Sequence, residues 1–199
     1  MDRERKTYKE DLETWLWTTK GVRFYAHERY LKQNKWSNIA VGMMSAYIII
    51  INLVTSYKIH LNESLGDNTV SFVTTALSIM ILVFSQLENS NDFKLKAEKF
   101  HDCSREISKL YRQLREKRRE ITDDALLAPI LNEITNSYQT ILDKYENHKD
   151  IDYQYFKCKH PDDFKMTFAA RQLTRVKYYF NTYFVYHILI ISPLALLFI

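Results

Sequence analysis

Two stretches of 19 uncharged residues decide what this chain can fold into: Ile39 to Tyr57 (IAVGMMSAYIIIINLVTSY) and Thr69 to Leu87 (TVSFVTTALSIMILVFSQL). As helices, each is about 28 Å long at roughly 1.5 Å per residue, close to the hydrocarbon thickness of a bilayer. The eleven residues between them contain Gly66-Asp67-Asn68, a turn signal of the right length to join antiparallel neighbours. The pair reads as a transmembrane hairpin. Two buried helices of a soluble bundle are the competing reading, but helices apolar on every side are rare in a domain of 199 residues.

Charge placement sets the expected orientation. Lys20, Arg23, Arg29, Lys32 and Lys35 precede the first stretch and Lys94, Lys96, Lys99 and Arg105 follow the second, whereas the loop has Lys58 against Glu63 and Asp67. Basic residues stay in the cytoplasm, so both hairpin ends are expected there, in a cell inner membrane. The last block, Tyr178 to Ile199, has 22 residues without Asp, Glu, Lys or Arg and follows Arg171, Arg175 and Lys177. It is long enough to cross as a third membrane helix, with Tyr178, Tyr179 and Tyr183 at the interface and Pro193 tolerable inside. A terminal helix packed on the hairpin without crossing remains the alternative.

The polar parts carry helical periodicity. Tyr8, Leu12, Trp15, Val22 and Ala26 form an apolar stripe on an otherwise charged N-terminal helix, and Trp36 stands where the membrane interface begins. Phe93, Ala97, Phe100, Ser104, Ile107, Tyr111, Leu114, Arg118 and Ile121 alternate steps of four and three, a seam suited to a partner helix or to the chain's own N-terminal helix. Thr122-Asp123-Asp124 supplies a helix N-cap, after which Leu127, Ile130, Ile134, Tyr138, Ile141 and Tyr145 form a second stripe. Residues 146–165 break the pattern and are expected as a short helix or ordered loop. Three glycines and three prolines leave too few turn-formers for a sandwich or barrel. The expected fold is all-α: one unit made of an amphipathic helix (1–38), the hairpin (39–87), a cytoplasmic helical region (88–177) and the apolar C-terminal helix (178–199).

Several chemistries find no support. The glycines Gly21, Gly42 and Gly66 form no phosphate cradle, and His27-Glu28 has Leu31 where a zincin needs its second histidine. His101 with Cys103 and Cys158 with His160 have zinc-like residue types, but positions two apart on a helix do not face one way. The cysteines are expected reduced. With 28 basic and 24 acidic residues interleaved, no single-sign face for nucleic acid is apparent. Neither catalytic residues nor cofactor or metal ligands are expected.

The spans hold the candidate site. Ser71, Thr74, Thr75, Ser78 and Ser85 recur at helical spacing on one side of the second span. In the first, Asn52 joins Ser45 and Ser56 at seven-and-four spacing, while Gly42 and Ala46 make a small-xxx-small pair. Two readings stay open: hydroxyl and small-residue packing between helices, or a weakly polar pore lining in a homo-oligomer, since one hairpin cannot enclose an aqueous path. His187, in the last block, either hydrogen-bonds a neighbouring helix or faces such a path.

The basic lead-in GVRFYAHERYLKQNKWSNIA, the short loop, the second span and the helix FKLKAEKFHDCSREISKLYRQLRE together resemble the SLATT family, bacterial two-transmembrane effectors associated with nucleotide-synthetase and SLOG proteins in conflict systems. The segment YENHKDIDYQYFK is similar to the Asn-His and Asp-Tyr region of its subfamily five. The resemblance implies a cell-suicide effector that opens a membrane pore on a signal from a sensor protein or a nucleotide. A membrane-anchored interaction module without channel activity is the alternative.

Overall fold

A computed structural model of the chain describes residues 7–57 and 67–196. Most of the expected loop at Lys58 to Asn68 lies outside the described residues. Regular structure among those residues is entirely helical: α1 (Tyr8–Ser56), α2 (Asp67–Ser90), α3 (Phe93–Glu120), α4 (Asp124–Lys144), α5 (Asp150–Lys159), α6 (Phe168–Tyr179) and α7 (Val185–Leu196), the last two joined by a π-helical turn, Phe180–Phe184. The all-α expectation holds. The chain divides into two compact units, one of Met1–Tyr30 with Leu95–Tyr178 and one of Leu31–Lys94 with Tyr179–Ile199. The first is called the polar unit and the second the apolar unit.

Helix α1 is one element of 49 residues, so the amphipathic stretch runs on into the first span without a break. The composition changes near Trp36, but neither proline nor glycine interrupts the backbone there, so the hydrogen-bond ladder continues. Between α2 and α3 the chain does break. Asp92 takes the left-handed conformation (φ 48°), which aspartate tolerates better than most residues, and the Asn91 N–H donates to the Glu88 carbonyl at 3.2 Å. Asp123 caps α4 as its sequence position suggests, Oδ1 accepting the Ala125 N–H at 2.9 Å.

In the polar unit, Leu12 and Leu16 of α1, Cys103, Ile107 and Leu114 of α3, and Leu127, Leu131, Ile134, Tyr138 and Ile141 of α4 form one core. Each large aliphatic side chain buried there contributes about 1.5–3 kcal/mol. The α3 seam thus packs on the chain's own N-terminal helix and on α4. Its polar members are used: Ser104 Oγ donates to the Lys20 carbonyl at 2.9 Å, and Arg118 pairs with Glu13. The α1 stripe differs from expectation at its start. Leu16 is buried, while Trp15, one residue and about 100° of helix away, is half exposed with Tyr8 against its edge.

In the apolar unit, the C-terminal helix lies alongside α1 and parallel to it. Gln33 Nε2 donates to the Asn181 carbonyl in the π turn at 3.0 Å, the rings of Trp36 and His187 meet edge-on at 4.6 Å, and Tyr47 Oη donates to the Ile190 carbonyl at 3.2 Å. Tyr186 Oη donates to Glu88 Oε2 at 3.0 Å, tying α2 to the same helix. The outer faces stay apolar: Ile49, Ile50, Leu53, Phe72, Ile79, Met80 and Leu82 are each more than half exposed. Two helical runs, Tyr8–Val54 and Ser71–Glu120, contain windows long and apolar enough to cross a membrane, and only 17% and 6% of those windows are buried. A core helix of a soluble protein would be mostly buried, so this exposure favours lipid as the surrounding medium.

Candidate functional site

The polar unit assembles a site around α5. Trp17, Gly21, Tyr25 and Arg29 recur every four residues and so share one face of α1. Gly21 provides a seat for Phe156. A Cβ on Gly21 would overlap the Phe156 ring, whose Cδ2 lies 3.0 Å from that position, so only glycine permits the approach. Trp17 packs edge-on against Phe156 at 5.1 Å and against His160 at 5.4 Å, and Tyr25 does the same with Tyr155 at 5.6 Å.

The far end of this face is ionic. Arg29 Nε donates to Asp152 Oδ1 at 2.7 Å and Nη2 to Oδ2 at 2.9 Å, with both side chains wholly buried. Asp152 Oδ2 also accepts the Lys149 N–H at 3.2 Å, so one carboxylate starts α5 and anchors it to α1. Burial opposes the Arg29 charge most strongly, but the Asp152 hydrogen bonds and charge outweigh it and raise the guanidinium pKa.

A second buried guanidinium of α1 has weaker company. Arg23, 2% exposed, donates to the Glu146 carbonyl and, at 3.4 Å, to Asn147 Oδ1, while its Nε has no hydrogen-bond partner among the described residues. Its hydrogen-bond acceptors are neutral, and burial pushes its pKa down. Burial, then the Arg23 charge, also lowers the His148 pKa, and His148 Nδ1 is likewise buried without a partner among the described residues. Of the Asn-His and Asp-Tyr residues of the resemblance, Asn147 and Asp152 therefore meet α1, through Arg23 and Arg29 respectively, while Tyr153 packs on His148 and Phe164.

The hydroxyl residues of the second span are in the apolar unit. Thr74 and Thr75 both bond the Ser71 carbonyl, at 3.1 and 2.8 Å, and Ser78 bonds the Thr74 carbonyl at 2.8 Å. Thr74 is buried; Ser71, Thr75 and Ser78 are exposed and Ser85 is intermediate. Ser45 likewise bonds its own helix at Val41, and Asn52 is exposed. Gly42 is exposed with nothing among the described residues within 4 Å of a Cβ placed on it, and Ala46 is half-buried. His187 of α7 bonds Tyr179 at the end of α6 at 2.7 Å and packs on Trp36.

The cysteines and histidines once weighed as zinc ligands have other neighbours. Cys103 belongs to the core, Cys158 faces the Arg171 carbonyl at 3.7 Å, and His160 Nδ1 bonds the Phe156 carbonyl at 2.9 Å. Sequence reasoning missed Gly21, Arg23, Arg29 and Asp152 as a set. The available signal was the four-residue recurrence of Trp17, Gly21, Tyr25 and Arg29, which the many surface charges of the same helix conceal.

Long apolar helices with lipid-suited faces, joined in one chain to a helical unit rich in charge, define a helical membrane protein of the two-span class. The chain belongs to the SMODS and SLOG-associating 2TM effector domain family 5, whose family model matches residues 5–199. No curated protein and no solved structure matches it.

Proposed function

We propose that this membrane effector assembles as a homo-oligomer and opens a pore on activation, killing or arresting the cell as part of an anti-phage conflict system. The observation that carries the reading is the row Ser71, Thr75 and Ser78. These residues are exposed on α2, and the Thr75 and Ser78 hydroxyls turn back on their own helix rather than onto a neighbour. Hydroxyls satisfied within their own helix are tolerated against lipid, and several copies arranged around this row would turn it into a weakly polar path. Thr74, Ser85 and Asn52 extend that lining. Gly42 and Ala46 supply close approach between copies.

The positive-inside distribution supports an inner-membrane topology with the N-terminus and residues 88–177 in the cytoplasm and residues 58–68 outside. The parallel packing of the C-terminal helix on α1 supports a third crossing. The trigger is a sensor protein or a nucleotide signal received by the polar unit, and the effector acts without catalysis or cofactor and without binding nucleic acid.

Purified protein in liposomes tests the reading: entrapped dye should leak in proportion to protein density once assembly occurs. Assembled protein that leaks neither dye nor ions would instead favour a membrane-anchored interaction module. Cysteine labelling from the cytoplasmic side at residue 60 would overturn the topology.

A further inference from the structure

We propose that α5 is a clamp: docked on α1 it holds the effector silent, and its release is the activating step. The proposal rests on reading the protein as an effector with silent and active states. Four observations lead to it. First, α5 is a ten-residue helix bounded by non-helical segments at 145–149 and 160–167, so it can move as a body between two hinges. Second, its hold is concentrated in few groups. Asp152, Phe156 and Cys158 are its buried residues, and of these the Phe156 ring is the one large apolar side chain. Losing either the ring contact or the ionic pair therefore removes a large share of what holds it.

Third, the dock is specific rather than strong. A bidentate buried pair fixes register, yet desolvation of both ions consumes most of its attraction. Arg23, whose acceptors Glu146 and Asn147 lie in the segment leading into α5, keeps a buried Nε without a hydrogen bond among the described residues, so undocking of α5 with that segment lets water reach a cation that the docked state serves poorly. Fourth, the seat requires a glycine in the middle of a long helix, where alanine would favour α1 itself. At Gly21 the chain thus gives up helix strength for the seating of Phe156. Asp152 couples the two events, because the carboxylate that grips Arg29 also caps the first turn of α5. Pulling it away loosens both.

The test uses the full-length protein in membranes, with two independent ways of unseating α5. Gly21→Ala places a methyl against Phe156 without touching a charge, and Phe156→Leu in the same chain makes room for it. Asp152→Asn removes the anchor. Gly21→Ala should speed hydrogen exchange at residues 146–160 by about five- to thirty-fold, and Asp152→Asn should speed it by more, because it leaves the buried Arg29 charge unpaired. Each should also arrest growth on expression without any infection signal, and the Gly21→Ala, Phe156→Leu double variant should restore both slow exchange and growth. Faster exchange with normal growth would overturn the clamp, as would arrest with exchange unchanged, or no change in either. Arrest by variants that do not leak dye from liposomes would leave the clamp standing and refute the pore.

Discussion

Arg29 and Asp152 are 123 residues apart in sequence and meet through two parallel hydrogen bonds, of 2.7 and 2.9 Å, with neither side chain exposed. An ionic pair in that position cannot be halved without leaving a bare charge. Asp152→Asn should therefore cost the polar unit about 3–5 kcal/mol, whereas replacing both residues by leucine should be close to neutral. Thermal unfolding of the detergent-solubilised protein, followed by circular dichroism, separates the two. Equal losses in the single and double variants would show that the pair contributes through packing alone.

The pH dependence of the same region follows from His148. Folding keeps this imidazole neutral to lower pH than its ordinary 6.5, because burial and then Arg23 oppose the charge, with Asp152 and Asp150 acting weakly the other way. The unfolded chain thus takes up the proton first. Stability is full above about pH 6.5 and falls as the pH drops from there towards the folded-state pKa, below which the loss is constant. Hydrogen exchange at residues 146–159 should accelerate between pH 7.5 and 5.5 after correction for intrinsic rates, and His148→Gln should flatten the profile. An unchanged profile in that variant would assign the effect elsewhere.

Gly42 offers a probe of contact between copies. Among the described residues nothing lies within 4 Å of a Cβ placed there, so Gly42→Leu should leave the protomer intact and raise α1 helix propensity by up to about 1 kcal/mol. If copies approach closely at this face, the same change should lower cross-linked oligomer yield in membranes at normal abundance. Unaltered oligomer size would remove Gly42 from the assembly surface.

Much of the fold was legible in the sequence because it rests on local pattern. The uncharged stretches, the Asp123 cap and the α3 and α4 stripes depend on residues within a few turns of one another, and three- or four-residue spacing reports them directly. Trp15 was misplaced because an aromatic adjacent to Leu16 satisfies the same spacing almost as well, and only the tertiary contact with α3 and α4 decides which side chain is inside. The continuity of α1 was obscured by a change in composition that does not change the backbone. The α5 dock was not legible. Gly21 looks like an ordinary helix weakness until Phe156 is placed on it, and Arg29 is one of several cations on its helix until Asp152 reaches it. The hydroxyl row was visible as a row, but its exposure and its bonding to its own helix required coordinates.

The most direct test of the central claim is single-channel recording from planar bilayers containing wild-type protein, Thr75→Leu and Ser78→Leu, with abundance and oligomer size measured in the same preparations. Leucine keeps helix propensity and membrane insertion while removing a hydroxyl from the proposed path. The pore account predicts discrete wild-type conductance that falls or changes ion selectivity in both variants at unchanged oligomer size. Wild-type conductance and selectivity in both variants, at normal abundance, would contradict the lining, and the absence of any conductance from assembled wild-type protein would contradict the pore itself.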